Sequence, residues 1–133
     1  MVELVAVPTA FLTWKSRLRG KKAILFTDNS ACQSALIRGY TAQEDAAEVV
    51  NLTWITLSQL RCSCWFDRVD SESNIADGPS RNNFKFMDNL NAKKVDPHID
   101  WCSWASTASS PTTSEAHRDW AWEVQKLLAY LQD

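Results

Sequence analysis

No stretch of this sequence stays apolar long enough to cross a bilayer, no excess of positive charge outweighs its acids, and its cysteines are few and unevenly spaced. Each absence removes a class of protein. The longest nearly apolar run, 2–14, is interrupted by Glu3 and Pro8 and is too short for a hydrocarbon core of about 30 Å, so no membrane partner is expected. An acid at position 3 stands where a secretory signal would carry basic residues. Cys32, Cys62, Cys64 and Cys102 make no disulfide framework, which suits a reducing compartment. The expected setting is intracellular, either cytoplasmic or nuclear. A formal net charge of −2 argues against a free-standing nucleic-acid binder, and no internal repeat is visible.

What is there is the composition of a folded domain. With 133 residues, 45% hydrophobic and 23% charged, the chain can bury one core. Lys15, Arg17, Arg19, Lys21 and Lys22 cluster, and Lys93 and Lys94 are adjacent. Such runs form either a basic patch or a solvated face. Of seven tryptophans, Trp101, Trp104, Trp120 and Trp122 lie toward the carboxyl end, a pattern that marks core or interface more often than base stacking.

Leu4, Val7, Phe11, Trp14 and Leu18 recur at helical steps, predicting a helix that ends near Gly20. Pro8 is poorly tolerated beyond a first turn, so the regular helix is expected to begin near Val7, with Glu3 in a bent lead-in. Lys22 to Thr27 reads as a strand covered on both faces. Asp28 stands at its carboxyl end, Asn29 or Ser30 can cap a helix through Ala31, Ala35 and Leu36, and Gly39 can end it. Ala46, Val49, Val50, Trp54, Leu57 and Leu60 predict a long helix over 43–60. From Cys62 to Val69 the residues alternate as in a second strand, with Cys62, Cys64, Phe66 and Arg68 on one face. Strand, helices and strand in that order form a crossover between parallel strands, right-handed by rule.

Beyond Val69, Asn74 or Ser73 can cap a short turn through Ile75, Ala76 and Asp77, stopped by Gly78 and Pro79. The expected organisation is a domain over 1–83, an irregular linker-like segment over 84–112, and an amphipathic helix over 113–133. That helix opens on the capping box of Thr112 and Glu115 and carries Trp120, Val124, Leu127, Leu128 and Leu131 on one stripe.

Three carboxylates draw attention. Ligands of open α/β sheets bind outside the carboxyl ends of the strands, where Asp28 belongs and where the turn carrying Asp77 can return. Gathered carboxylates repel unless they share a cation, and hard oxygen donors favour Mg²⁺ or Mn²⁺. Taken singly, Asp28 and Asp77 read first as turn residues, and Glu3 as a solvated terminus. A zinc reading of Cys62, Cys64, His98 and Cys102 is disfavoured by the C-x-C spacing on a strand.

The text around these acids narrows the choice. Phe-Thr-Asp-Asn-Ser-Ala-Cys-Gln-Ser-Ala-Leu-Ile-Arg-Gly at 26–39, Trp-Phe-Asp-Arg-Val at 65–69 and Ser-Asn-Ile-Ala-Asp-Gly-Pro-Ser-Arg at 73–81 resemble, in order, the ribonuclease H-like domains of retroelement reverse transcriptase polyproteins. The resemblance spans 24–81 and extends to Val-Glu-Leu-Val-Ala at 2–6, similar to the family's helix that bears a catalytic Glu. It implies an α/β fold with a short parallel sheet flanked by helices, and hydrolysis of the RNA strand of RNA–DNA hybrids by two divalent ions, Mg²⁺ or Mn²⁺. Glu3, Asp28 and Asp77 would be the catalytic metal ligands. The family's first Asp lies on a strand before the Glu-bearing helix, and only Met1 and Val2 precede Glu3 here. An incomplete fold, truncated at its amino end and inactive alone, is therefore expected. The rest of a polyprotein or another chain would complete the sheet. Asp70 also stands where relatives carry Pro, and no His lies in the loop before Asp77. The alternative is a non-enzymatic interaction module that docks through the Trp-rich carboxyl-terminal region.

Overall fold

Alternation and capping carry through into the observed architecture. A computed structural model describes residues 2–97. The chain divides into two units, Met1–His98 and Ile99–Asp133, and the described residues all belong to the first. The expected helix over 113–133, the tryptophans from Trp101 onward, His98 and Cys102 lie outside them.

Helix α1 spans Val2–Thr13 and α2 Lys15–Leu18, followed by strand β1, Lys22–Thr27. Helices α3, Ser30–Arg38, and α4, Glu44–Leu60, then lead to strand β2, Ser63–Arg68. A 3₁₀ turn at Ser71–Ser73 precedes α5, Asp77–Ser80, and α6, Lys85–Asn89. The strands pair in parallel, with Lys22 opposite Ser63, Ile24 opposite Trp65 and Thr27 opposite Arg68. The fold is mixed α/β, a two-stranded parallel sheet flanked by helices. No helix among the described residues is long and apolar enough to cross a membrane.

The local signals explain most boundaries. Asn29 Oδ1 accepts the backbone N–H groups of Ala31 and Cys32 at 2.9 and 3.1 Å, satisfying donors that the first turn of α3 leaves unpaired. Gly39 ends that helix in the left-handed region at φ 65°, a conformation that costs glycine little. Helix α4 begins one residue after its expected start and buries Ala46, Val49, Val50, Leu57 and Leu60. It ends on Arg61, held left-handed at φ 50° without glycine's freedom.

Four expectations need correction. Helix α1 is regular through Pro8 and includes Glu3. Leu4, Val5, Val7, Pro8 and Phe11 are buried and α1 packs on α4. That burial, at roughly 1.5–3 kcal/mol per large apolar side chain, offsets the one backbone bond a proline removes. The stripe does not continue to Leu18, because the Trp14 backbone leaves the helical region at φ −104° and ψ 24° and its ring is exposed. Gly78 and Pro79 do not stop a helical turn but lie inside α5. Its first turn does not use the N–H that proline lacks.

The fourth correction concerns β1, which is covered on one face only. Ile24 is 63% and Phe26 59% exposed, as is Trp65 on β2 at 66%, whereas Phe66 is 4% exposed. The alternation on β2 is as expected, with Cys62 and Phe66 buried and Cys64 half-buried. Helix α3 packs on the strands, and Trp54 of α4 sets its ring edge-on to Phe66 at 5.8 Å. The Trp54 indole N–H donates to the Leu36 carbonyl at 2.9 Å, so this tryptophan sits at the rim of the core rather than within it. Thr53 and Thr56 take up the buried positions of α4, and the Thr53 hydroxyl donates to the Val49 carbonyl at 2.8 Å.

Candidate functional site

Parallel pairing gives both strands one carboxyl-terminal rim, and the pairing reaches just past it. The Val69 N–H donates to the Thr27 carbonyl at 3.0 Å, so Asp28 and Val69 leave the sheet side by side. Asp28 is half-buried. Next to it, the Asn29 N–H donates to Thr27 Oγ1 at 3.2 Å, which tightens the turn from strand to helix.

Asn29 also ties in the start of α1, its Nδ2 donating to the Glu3 carboxylate. One side chain thus caps α3 and holds the acid that the resemblance assigns to catalysis. Burial pushes the Cys32 thiol up, and the charges of Glu3 and Asp28 push it further. Buried with a raised pKa, Cys32 is not a ready nucleophile.

Asp77 is reached by a different route. The Asn74 side chain accepts the Ala76 N–H at 3.1 Å, and the Asp77 N–H donates to the Asn74 carbonyl at 3.0 Å. These bonds set Asp77 as the first residue of α5. Its Oδ1 accepts from Arg81 Nε at 3.2 Å, a partly exposed pair of small energetic weight.

Glu3 and Asp28 are thus neighbours around Asn29, while Asp77 is engaged with Arg81. Among the described residues, no group of three or more His, Cys, Asp or Glu side chains is spaced to hold a metal ion. Cys62 and Cys64 are free thiols, one buried and one half-buried, and burial, with the Cys62 thiol nearby, pushes Cys64 up to about 11.

No protein-family model, no curated protein and no solved structure matches this chain.

The rim offers hydrogen-bond acceptors and negative charge. Asn29 is the residue that sequence reasoning undervalued, since it was expected only as a cap. Its link to Glu3 joins residues 26 positions apart and leaves no trace in local spacing.

Proposed function

We propose that this module is a ribonuclease H-like fold of the kind carried by retroelement reverse transcriptase polyproteins, with Asp28, Glu3 and Asp77 at the positions of the family's metal-binding carboxylates. What supports the proposal is the parallel crossover itself. It sets Asp28 immediately after β1, beside the exit of β2, with Glu3 bonded to the next residue. The substrate class implied is the RNA strand of an RNA–DNA hybrid. Glu3 and Asp77 are engaged with Asn29 and Arg81, and the chain by itself is proposed to be inactive. Mg²⁺ or Mn²⁺ binding would require those bonds to be exchanged.

A Mn²⁺ titration followed by amide NMR tests this. Broadening centred on Asp28 and lost in Asp28→Asn is expected, together with no cleavage of a labelled RNA–DNA hybrid. Broadening that ignores both Asp28→Asn and Asp77→Asn would remove the ancestry argument. Hybrid cleavage abolished by Asp28→Asn would instead show an active enzyme. A module that docks through its Trp-rich carboxyl-terminal region is the alternative, and it would be indifferent to the ion.

A further inference from the structure

The end of the sheet opposite the carboxylates has its own chemistry. No acidic residue occurs between Glu3 and Asp28, nor between Glu48 and Asp67, and the fold sets parts of these two stretches side by side. The Gly20 N–H donates to the Leu60 carbonyl at 2.8 Å and the Ser63 N–H to the Lys21 carbonyl at 3.0 Å. Arg19 Nη1 reaches the Gln59 carbonyl at 3.4 Å. Arg61 thereby joins Lys15, Arg17, Arg19, Lys21 and Lys22, all six exposed. Among the described residues the ion pair is Arg81 with Asp77, and none of these six cations has a carboxylate partner.

Beside this cationic end lies the uncovered sheet face. Lys22, Ile24 and Phe26 alternate outward on β1 and Ser63, Trp65 and Asp67 on β2, all exposed. Register places Trp65 opposite Ile24, so Trp65 and Phe26 are separated by one strand spacing and two residues. Strand geometry makes that roughly 8 Å, a distance that successive unstacked bases of an extended strand can span. Aromatic faces on a sheet next to exposed cations satisfy the two requirements of single-strand binding, base stacking and phosphate neutralisation.

We propose that this sheet face and its cationic end bind single-stranded nucleic acid, with Trp65 and Phe26 stacking on bases and the six cations following the phosphates. The site is distinct from the carboxylate rim, and it stands or falls independently of the hydrolytic ancestry.

Fluorescence anisotropy of the full chain with a labelled single-stranded oligonucleotide of about ten nucleotides tests the proposal. The affinity should fall with salt, with a log–log slope of about −0.7 per phosphate contacted. Trp65→Ala should weaken binding by at least about fivefold, whereas Trp65→Tyr keeps it and Trp65→Leu does not. The charge-removing variant K21Q/K22Q/R61Q should lower the affinity and flatten the salt slope. Circular dichroism of each variant confirms folding, and the substituted side chains are exposed. Absence of binding, or binding insensitive to Trp65→Ala, overturns the proposal. So does equal affinity of Trp65→Leu, which indicates a protein-docking face. Preference for phosphatidylserine vesicles over the oligonucleotide, or for duplex over single strand with Trp65 irrelevant, overturns it as well.

Discussion

The two faces of one short sheet differ more than any two elements of the sequence would suggest. Phe66 and Trp65 are adjacent on β2, and both are large and aromatic, yet one is 4% exposed and the other 66%. The inward residue meets α3 and the edge of Trp54. The outward one meets solvent, beside Ile24. Strand alternation decides only that neighbours point to opposite faces. Which face becomes core depends on where the helices land.

Substituting this adjacent pair breaks the comparison most sharply. Phe66→Ala should cost about 3–5 kcal/mol through lost transfer energy and a cavity, whereas Trp65→Ala should stay within about 0.5 kcal/mol. Urea denaturation reads both, and comparable losses would mean that the outward face is also packed. Next in size is Asn29→Ala, expected to destabilise by about 0.5–2 kcal/mol for the lost cap of α3, and to release Glu3 as well. A double-mutant cycle with Glu3→Gln measures the coupling, and strict additivity would show that the bond to Glu3 contributes nothing.

Smaller still is Arg61→Gly at the left-handed end of α4. It should stabilise by up to about 1 kcal/mol, because glycine adopts that conformation without a Cβ penalty. A lower thermal midpoint would instead show that the arginine side chain holds the junction. The last effect is confined to alkaline pH. Burial, with the Cys62 thiol nearby, pushes Cys64 from 9.0 up to about 11, so the folded state retains a proton that the unfolded chain releases. Its stabilising contribution is intact below pH 9.0 and is lost as the pH rises toward about 11. Denaturation profiles of the native chain and Cys64→Ser across that range should diverge only above the lower value.

Much of the fold was legible because its signals are local. The bounds of β1, the Asn29 cap, the Gly39 stop and the span of α4 each depend on residues within a turn or two of one another. The candidate site was legible only in part. Asp28 at the strand end follows from local pattern, but the engagements of Glu3 with Asn29 and of Asp77 with Arg81 do not. The regularity of α1 through Pro8 is not legible in local pattern, because the packing that sustains it comes from α4, more than 30 residues away.

By itself, then, the sequence determined where β1, α3, α4 and β2 form and which residues of β2 share a face, since periodicity and capping act between near neighbours. Only the tertiary structure decided that Ile24, Phe26 and Trp65 stay uncovered, and that Thr53 rather than Trp54 is buried. It also decided that the chain on either side of Arg61 runs beside Gly20 and Lys21. Those outcomes depend on which surfaces meet across long separations in the chain, and burial free energy is settled only by that meeting.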